Sequence, residues 1–184
     1  VFDYDGVRRL EALGVTDVRW LGFADSGMAS GGSDRPSHES SAVGSGPEGF
    51  AHQNVAAAAQ RLGEVLVEVE ATCVVGYDET GIYGHPDHVA VCRVAHAAAT
   101  LVGCSTVYEA TVDREYLHFV ESHLVEEAHR SPDLGLVTAA LGTPSVEIDL
   151  TVDVSAHLAL KRAAMAAHSS QVPAHSSAMR LARA

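Results

Sequence analysis

The sequence predicts an α/β protein: a three-layer α/β/α sandwich around a Rossmann-like, mainly parallel sheet. Two observations carry this. Segments with apolar residues three and four apart alternate with short apolar runs of strand length, and strands separated by helices pair in parallel. The chain has 184 residues, 47% of them hydrophobic and 20% charged, enough for a sizeable core. Residues 1–184 are therefore read as a single domain.

The elements follow in order. Val7 to Leu13 has a short helical pattern, with Leu10 and Leu13 three apart and Gly14 as a natural end. Asp17 to Phe23 alternates and then turns apolar, which predicts a strand. It ends at Ala24-Asp25-Ser26-Gly27-Met28, so Asp25 is expected on the carboxyl rim of the sheet, where ligands bind in open α/β folds. An Asx-turn at a strand end accounts for Asp25 equally well. Residues 29–49 are rich in Gly, Ser and Pro and too long for a simple connector, so they read as a substrate loop, with His38 solvated.

Asn54 to Val67 is a strong helix with Val55, Ala58, Ala59, Leu62 and Leu66 on one side, and Asn54 can cap it. Thr72 to Tyr77 is a buried strand. Asp78, Glu79 and Thr80 read as a solvated rim turn. A helix runs through Val89–Ala99 to Gly103, a strand covers Ser105–Ala110, and Asp113–Val125 is helical, with His118, His123 and His129 on the surface. Strict alternation over Val146–Val152 predicts a half-exposed strand. Ser155 is expected to cap a last helix carrying Leu158, Lys161, Ala164, Met165 and His168, ended by Ser169-Ser170-Gln171 and Pro173.

Composition excludes several functions. A formal net charge of −12 argues against nucleic acid or an anionic membrane as partner. No apolar run approaches a membrane span and no signal peptide is visible, so a cytoplasmic location is expected. Cys73, Cys92 and Cys104 form no C-x-x-C pair and read as buried free thiols. No Walker A loop is present, which argues against a nucleoside triphosphate cofactor. A homo-oligomer is compatible with the sequence.

The chemistry concentrates in Gly81-Ile82-Tyr83-Gly84-His85-Pro86-Asp87-His88. Pro86 suits the first helical position, which puts His85 at the N-cap and His88 in the first turn. Two imidazoles and a carboxylate then crowd one helix mouth beside a strand end. Neutral imidazole is the commonest protein ligand for zinc.

The run from Tyr77 to His88 resembles the second signature of the LmbE-like (PIG-L type) zinc N-deacetylases, with Ile82 before Tyr83 a mild variation. Leu21 to Met28 is similar to the substrate-loop segment of that family's mycothiol branch, which holds the N-acetylglucosaminyl-inositol deacetylase and the mycothiol S-conjugate amidase. Lys161, Ala164 and His168 to Gln171 resemble its late helix. The resemblance implies Zn2+ as cofactor and a small-molecule amino-sugar conjugate as substrate. It implies His88 as a metal ligand, His85 as the oxyanion stabiliser and proton donor, Asp87 as the group that tunes His85, and Tyr83 as a donor to the scissile carbonyl. Asp25 and Met28 would contact substrate.

The family's first signature, A-H-P-D-D-E, supplies further zinc ligands and the general base, and these 184 residues do not contain it. Its place is upstream of Val1. Two readings follow: a truncated piece of a complete deacetylase domain, inactive by itself, or a metal-free sugar-binding or regulatory α/β domain. The start at Val1 favours the truncation, and the chain's end at Ala184 suggests a second one.

Overall fold

A computed structural model describes residues 4–27, 49–123 and 141–167. The chain divides into two compact units. One comprises Arg19–Arg114 with Ala140–Thr143; the other comprises Val1–Val18, Glu115–Ala139 and Pro144–Ala184.

The first unit is built on two helices and a parallel strand pair. Helix α2 (Val55–Glu68) starts where Asn54 accepts the Ala57 amide at 3.0 Å, which satisfies one of the donors a helix start leaves unpaired. Strand β1 (Val74–Tyr77) follows, then a broken single turn, α3 (Gly81–Gly84), and the long helix α4 (Pro86–Val102). Helix α4 leads into β2 (Val107–Ala110), which pairs in parallel with β1 from Val74↔Val107 to Tyr77↔Ala110. The α/β class and the parallel sense of the sheet are as the alternation predicts.

Small side chains set the packing. Ala58, Ala59 and Ala98 are fully buried, and Ala59, Leu66, Val74, Ala95, Ala98 and Ala99 form one cluster joining α2, β1 and α4. A side chain at Gly63 would come within 3.2 Å of Val102 Cγ1, so this glycine, a propensity cost inside α2, lets the helices lie close. Gly103, in the left-handed conformation, ends α4 as expected.

In the second unit, helix α1 (Tyr4–Ala12) packs against α6 (Leu158–Ala167). Helix α5 (Arg114–His123) begins at the division, and its Glu115 accepts both the amide and the hydroxyl of Ser145, at 2.6 and 2.8 Å.

Five expectations need correction. Residues 17–23 and 146–152 form no strand among the described residues. Val146–Glu147 lies in a 3-10 turn, Ser145–Glu147, and Trp20, Leu150 and Val152 are exposed. Alternation reports an extended chain with one wetter side; a strand also needs a partner ladder, which local pattern does not contain. Strand β1 is buried on one side only: Val74 is 9% exposed but Val75 is 68%. Of the three thiols only Cys92 is buried, and Cys73 is exposed. Ser155 does not cap the last helix; it opens a 3-10 turn, Ser155–His157, and donates its amide and hydroxyl to Asp153.

Candidate active site at the mouth of helix α4

Pro86 occupies the first turn of α4 and His85 is its N-cap, as the spacing predicts. The cap bond is made by the ring: His85 Nδ1 accepts the Asp87 amide at 3.1 Å. With Nδ1 as acceptor, the proton of a neutral ring sits on Nε2. His88, one turn on, faces the Gly81 carbonyl through Nδ1 at 3.3 Å. A carbonyl only accepts, so Nδ1 carries the proton and Nε2 presents a lone pair. A backbone carbonyl holding the far ring nitrogen is the usual support behind a metal-ligating imidazole.

The rings form a stack. His88 lies on Tyr77 with centroids 3.9 Å apart and on His85 at 4.8 Å. Tyr83 stands edge-on to both, at 5.2 Å from His88 and 6.0 Å from His85. Burial, then the charges of Tyr77 and Asp25, push the Tyr83 hydroxyl above its ordinary value, so at neutral pH it is a hydrogen-bond donor.

The turn that carries Tyr83 is strained. Ile82 has φ 64°, a conformation costly for a β-branched residue. Asp78 holds it there. One carboxylate oxygen accepts the Ile82 amide at 2.9 Å, the Thr80 amide at 3.0 Å and the Thr80 hydroxyl at 2.7 Å; the other accepts Thr111 Oγ1 at 2.6 Å. Thr111 in turn meets Thr143 at 2.7 Å. Burial pushes the Asp78 carboxyl up, but the bonds from Ile82, Thr111 and Thr80 outweigh it and hold it below the usual range. The expectation that Asp78 is solvated is therefore wrong: it is 5% exposed and anchors the motif. Gly81, φ 65°, closes the turn; a side chain there would lie 2.9 Å from His88 Cβ.

Asp87 braces a second loop. Its two oxygens accept the amides of Ser26 at 2.9 Å and Ala51 at 3.1 Å. Ser26, buried, takes the Ala51 amide on its hydroxyl at 2.8 Å as well. A side chain on Gly49 would strike Ser26 Oγ, so only glycine allows the close approach of the Ala24↔Gly49 bridge. Asp25 makes the Asx-turn, accepting the Gly27 amide at 2.6 Å on Oδ1, and is also exposed beside the mouth. Donor atoms of Asp25, His85 and Asp87 all lie within 4.8 Å of one another.

The structure thus brings Asp25, Tyr83, His85, Asp87 and His88 to one mouth; Met28 lies outside the described residues. Sequence reasoning missed Ser26, Gly49, Ala51, Asp78 and Thr111. Asp-x-Thr at 78–80 was a usable signal for the Asp78 turn.

Comparison with known proteins gives one consistent picture. Residues 5–99 match the PIG-L family, described as GlcNAc-PI de-N-acetylase. The chain is similar to proteins named 1D-myo-inositol 2-acetamido-2-deoxy-alpha-D-glucopyranoside deacetylase. That of Thermomonospora curvata is 32% identical over 173 residues, covering 88% of this chain and 56% of the relative. That of Nocardiopsis dassonvillei is 33% identical over 176 residues, covering 88% and 59%. That of Salinispora arenicola is 32% identical over 177 residues, covering 90% and 54%. The chain spans about half the length of these relatives.

Proposed function

The chain belongs to the GlcNAc-PI de-N-acetylase (PIG-L) family, and from that premise we propose that it is part of a zinc-dependent amidohydrolase. The substrate is an N-acylated, simplest an N-acetylated, glucosaminyl conjugate, such as N-acetylglucosaminyl-inositol or a mycothiol S-conjugate. The supporting observation is the His88 ring, its Nδ1 against the Gly81 carbonyl and its face stacked at the mouth that also holds His85 and Tyr83.

The donor set suits zinc. His88 Nε2 is a supported nitrogen ligand, while the carboxylates of Asp25 and Asp87 cluster with His85 at the same mouth. The other ligands expected in the whole protein are the His and Asp of an A-H-P-D-D-E run. When bound, zinc supplies a water of pKa about 7 and polarises the amide carbonyl.

The chain's own residues do the rest. Tyr83, protonated at neutral pH, donates to the carbonyl oxygen as charge develops on it. His85 presents Nε2–H at the same place, for the oxyanion and then the leaving amine. Asp87 fixes the Ser26 and Ala51 amides and so places the rim that carries Asp25. The outer oxygen of Asp25 accepts a sugar hydroxyl, and Met28 contributes to the same subsite.

The partner is a small-molecule amino-sugar conjugate rather than nucleic acid or membrane, in keeping with the net charge of −12. No helix among the described residues is long and apolar enough to cross a membrane, and a cytoplasmic location belongs to the same proposal. The test is hydrolysis of N-acetylglucosaminyl-inositol and of a mycothiol S-conjugate by the whole protein. Chelator-sensitive release of a free amine supports the reading. Saturable sugar binding without hydrolysis, in protein that takes up no zinc, would replace it with the metal-free binding domain.

A further inference from the structure

A second group of metal-ligating side chains lies further along α4. Cys92 and His96 are four residues apart, hence on one helix face, and strand β2 brings Glu109 to them. Glu109 Oε1 is 2.6 Å from His96 Nε2 and 3.6 Å from Cys92 Sγ, and one donor atom of each residue lies within 4.8 Å of the others. Midway between Cys92 and His96, the group is about 9 Å along the axis from His88.

We propose that Cys92, His96 and Glu109 form a second metal site, taking zinc or another borderline-soft divalent ion, separate from the cluster at the helix mouth. Sulfur, nitrogen and oxygen donors from three side chains, with a fourth position left to water, make a set that zinc accepts. The geometry is close to what such an ion needs. Ligand distances of about 2.3 Å to sulfur and about 2.1 Å to oxygen at a tetrahedral angle put the two atoms about 3.6 Å apart, the separation found between Cys92 and Glu109. The His96 nitrogen must withdraw from Glu109 by under about 1 Å, and its half-exposed side chain has room to do so.

A nucleophilic thiol is the competing use of such a trio, and the arrangement opposes it. The carboxylate, not the imidazole, faces the sulfur, so no base stands ready to take its proton. Burial, then the charge of Glu109 and the hydrogen bond to it, push the Cys92 thiol up to about 11, with Asp78 and Glu79 adding to the negative field. The metal-free thiol is therefore inert at neutral pH, and the same negative field favours a cation. Binding would expel the thiol proton and take up the His96 Nε2 lone pair, leaving thiolate, neutral imidazole and carboxylate on the ion.

The test is titration of the chain with Co2+ under a non-thiol reductant, followed by zinc competition. The helix-mouth cluster has no sulfur, so a thiolate-to-cobalt charge-transfer band cannot come from it. The expected result is one such band, displaced by zinc and absent in Cys92→Ser. In His96→Gln, whose exposed ring makes little of the fold, zinc affinity read from that band should fall at least about tenfold with the far-UV circular dichroism unchanged. No band in the wild type would overturn the site. So would a band that survives Cys92→Ser, which assigns it to Cys73 or Cys104, or an affinity unchanged in His96→Gln.

Discussion

The two ends of helix α4 are held by different physics. From Val94 onward the helix packs through small apolar side chains: Ala95, Ala98 and Ala99, at most 3% exposed, lie against α2 and β1. Its first turn is held by carboxylates. Asp78 accepts four bonds from the turn and from Thr111, and Asp87 accepts two amides from loops remote in sequence. The apolar end is non-directional and insensitive to pH. The polar end fixes individual atoms, as a catalytic mouth would require, and its hold depends on two carboxylates staying charged. Strain at Ile82 sits at the polar end, where several bonds over-determine it.

Removing the anchor at the polar end should have the largest effect. Asp78→Ala leaves the Ile82 and Thr80 amides and two hydroxyls without their acceptor. Urea unfolding should show a loss of about 3 kcal/mol, after relief of strain at Ile82 is allowed for. A loss under about 1 kcal/mol would mean the turn does not depend on the carboxylate.

Tyr83→Phe comes next and separates chemistry from scaffold. It should lower turnover by about 100-fold, the scale for losing one donor to a developing oxyanion. Stability should change by less than about 0.5 kcal/mol, because the ring is half-exposed and keeps its edge contacts. Equal losses in both measurements would erase the distinction between the two ends.

Ala98→Leu probes the apolar end. Three extra carbons at a fully buried position should cost about 2 kcal/mol by overpacking. The rings at the helix mouth should be undisturbed, which the NMR signals of His85 and His88 would show.

The smallest effect is the acid dependence. The folded pKa of Asp78 lies below the unfolded value of about 3.9. Its contribution is therefore complete above the unfolded value and lost as pH falls through the folded one. The wild type should lose stability over that window more steeply than Asp78→Asn, whereas Ala98→Leu should keep the wild-type slope. Parallel curves for wild type and Asp78→Asn would assign the acid loss to other carboxylates.

The same division explains what the sequence made legible. The apolar end could be read locally. Spacing of three and four drew α2 and α4, Asn54 and Gly103 marked their limits, and Pro86 placed His85 at the cap. The parallel pairing of β1 with β2 followed from the intervening helix. The supports of the mouth could not be read this way. Asp87 reaches Ser26 across 61 positions and Ala51 across 36, and Asp78 reaches Thr111 across 33. Such bonds leave no periodic trace. The strands expected at 17–23 and 146–152 erred in the opposite direction: a periodic trace was present, and no partner ladder for it lies among the described residues.

Under the proposed function, His88 holds the metal while His85 acts on the substrate. The decisive measurement is bound zinc per chain in the whole protein, taken in a Cys92→Ser background so that only the helix mouth is counted. His88→Ala should lose its equivalent of zinc and its activity together. His85→Ala should keep the zinc and lose turnover by about 100-fold or more. A full equivalent retained in His88→Ala, or zinc lost from His85→Ala instead, would contradict the assignment and move the metal to the Asp25, His85 and Asp87 donors.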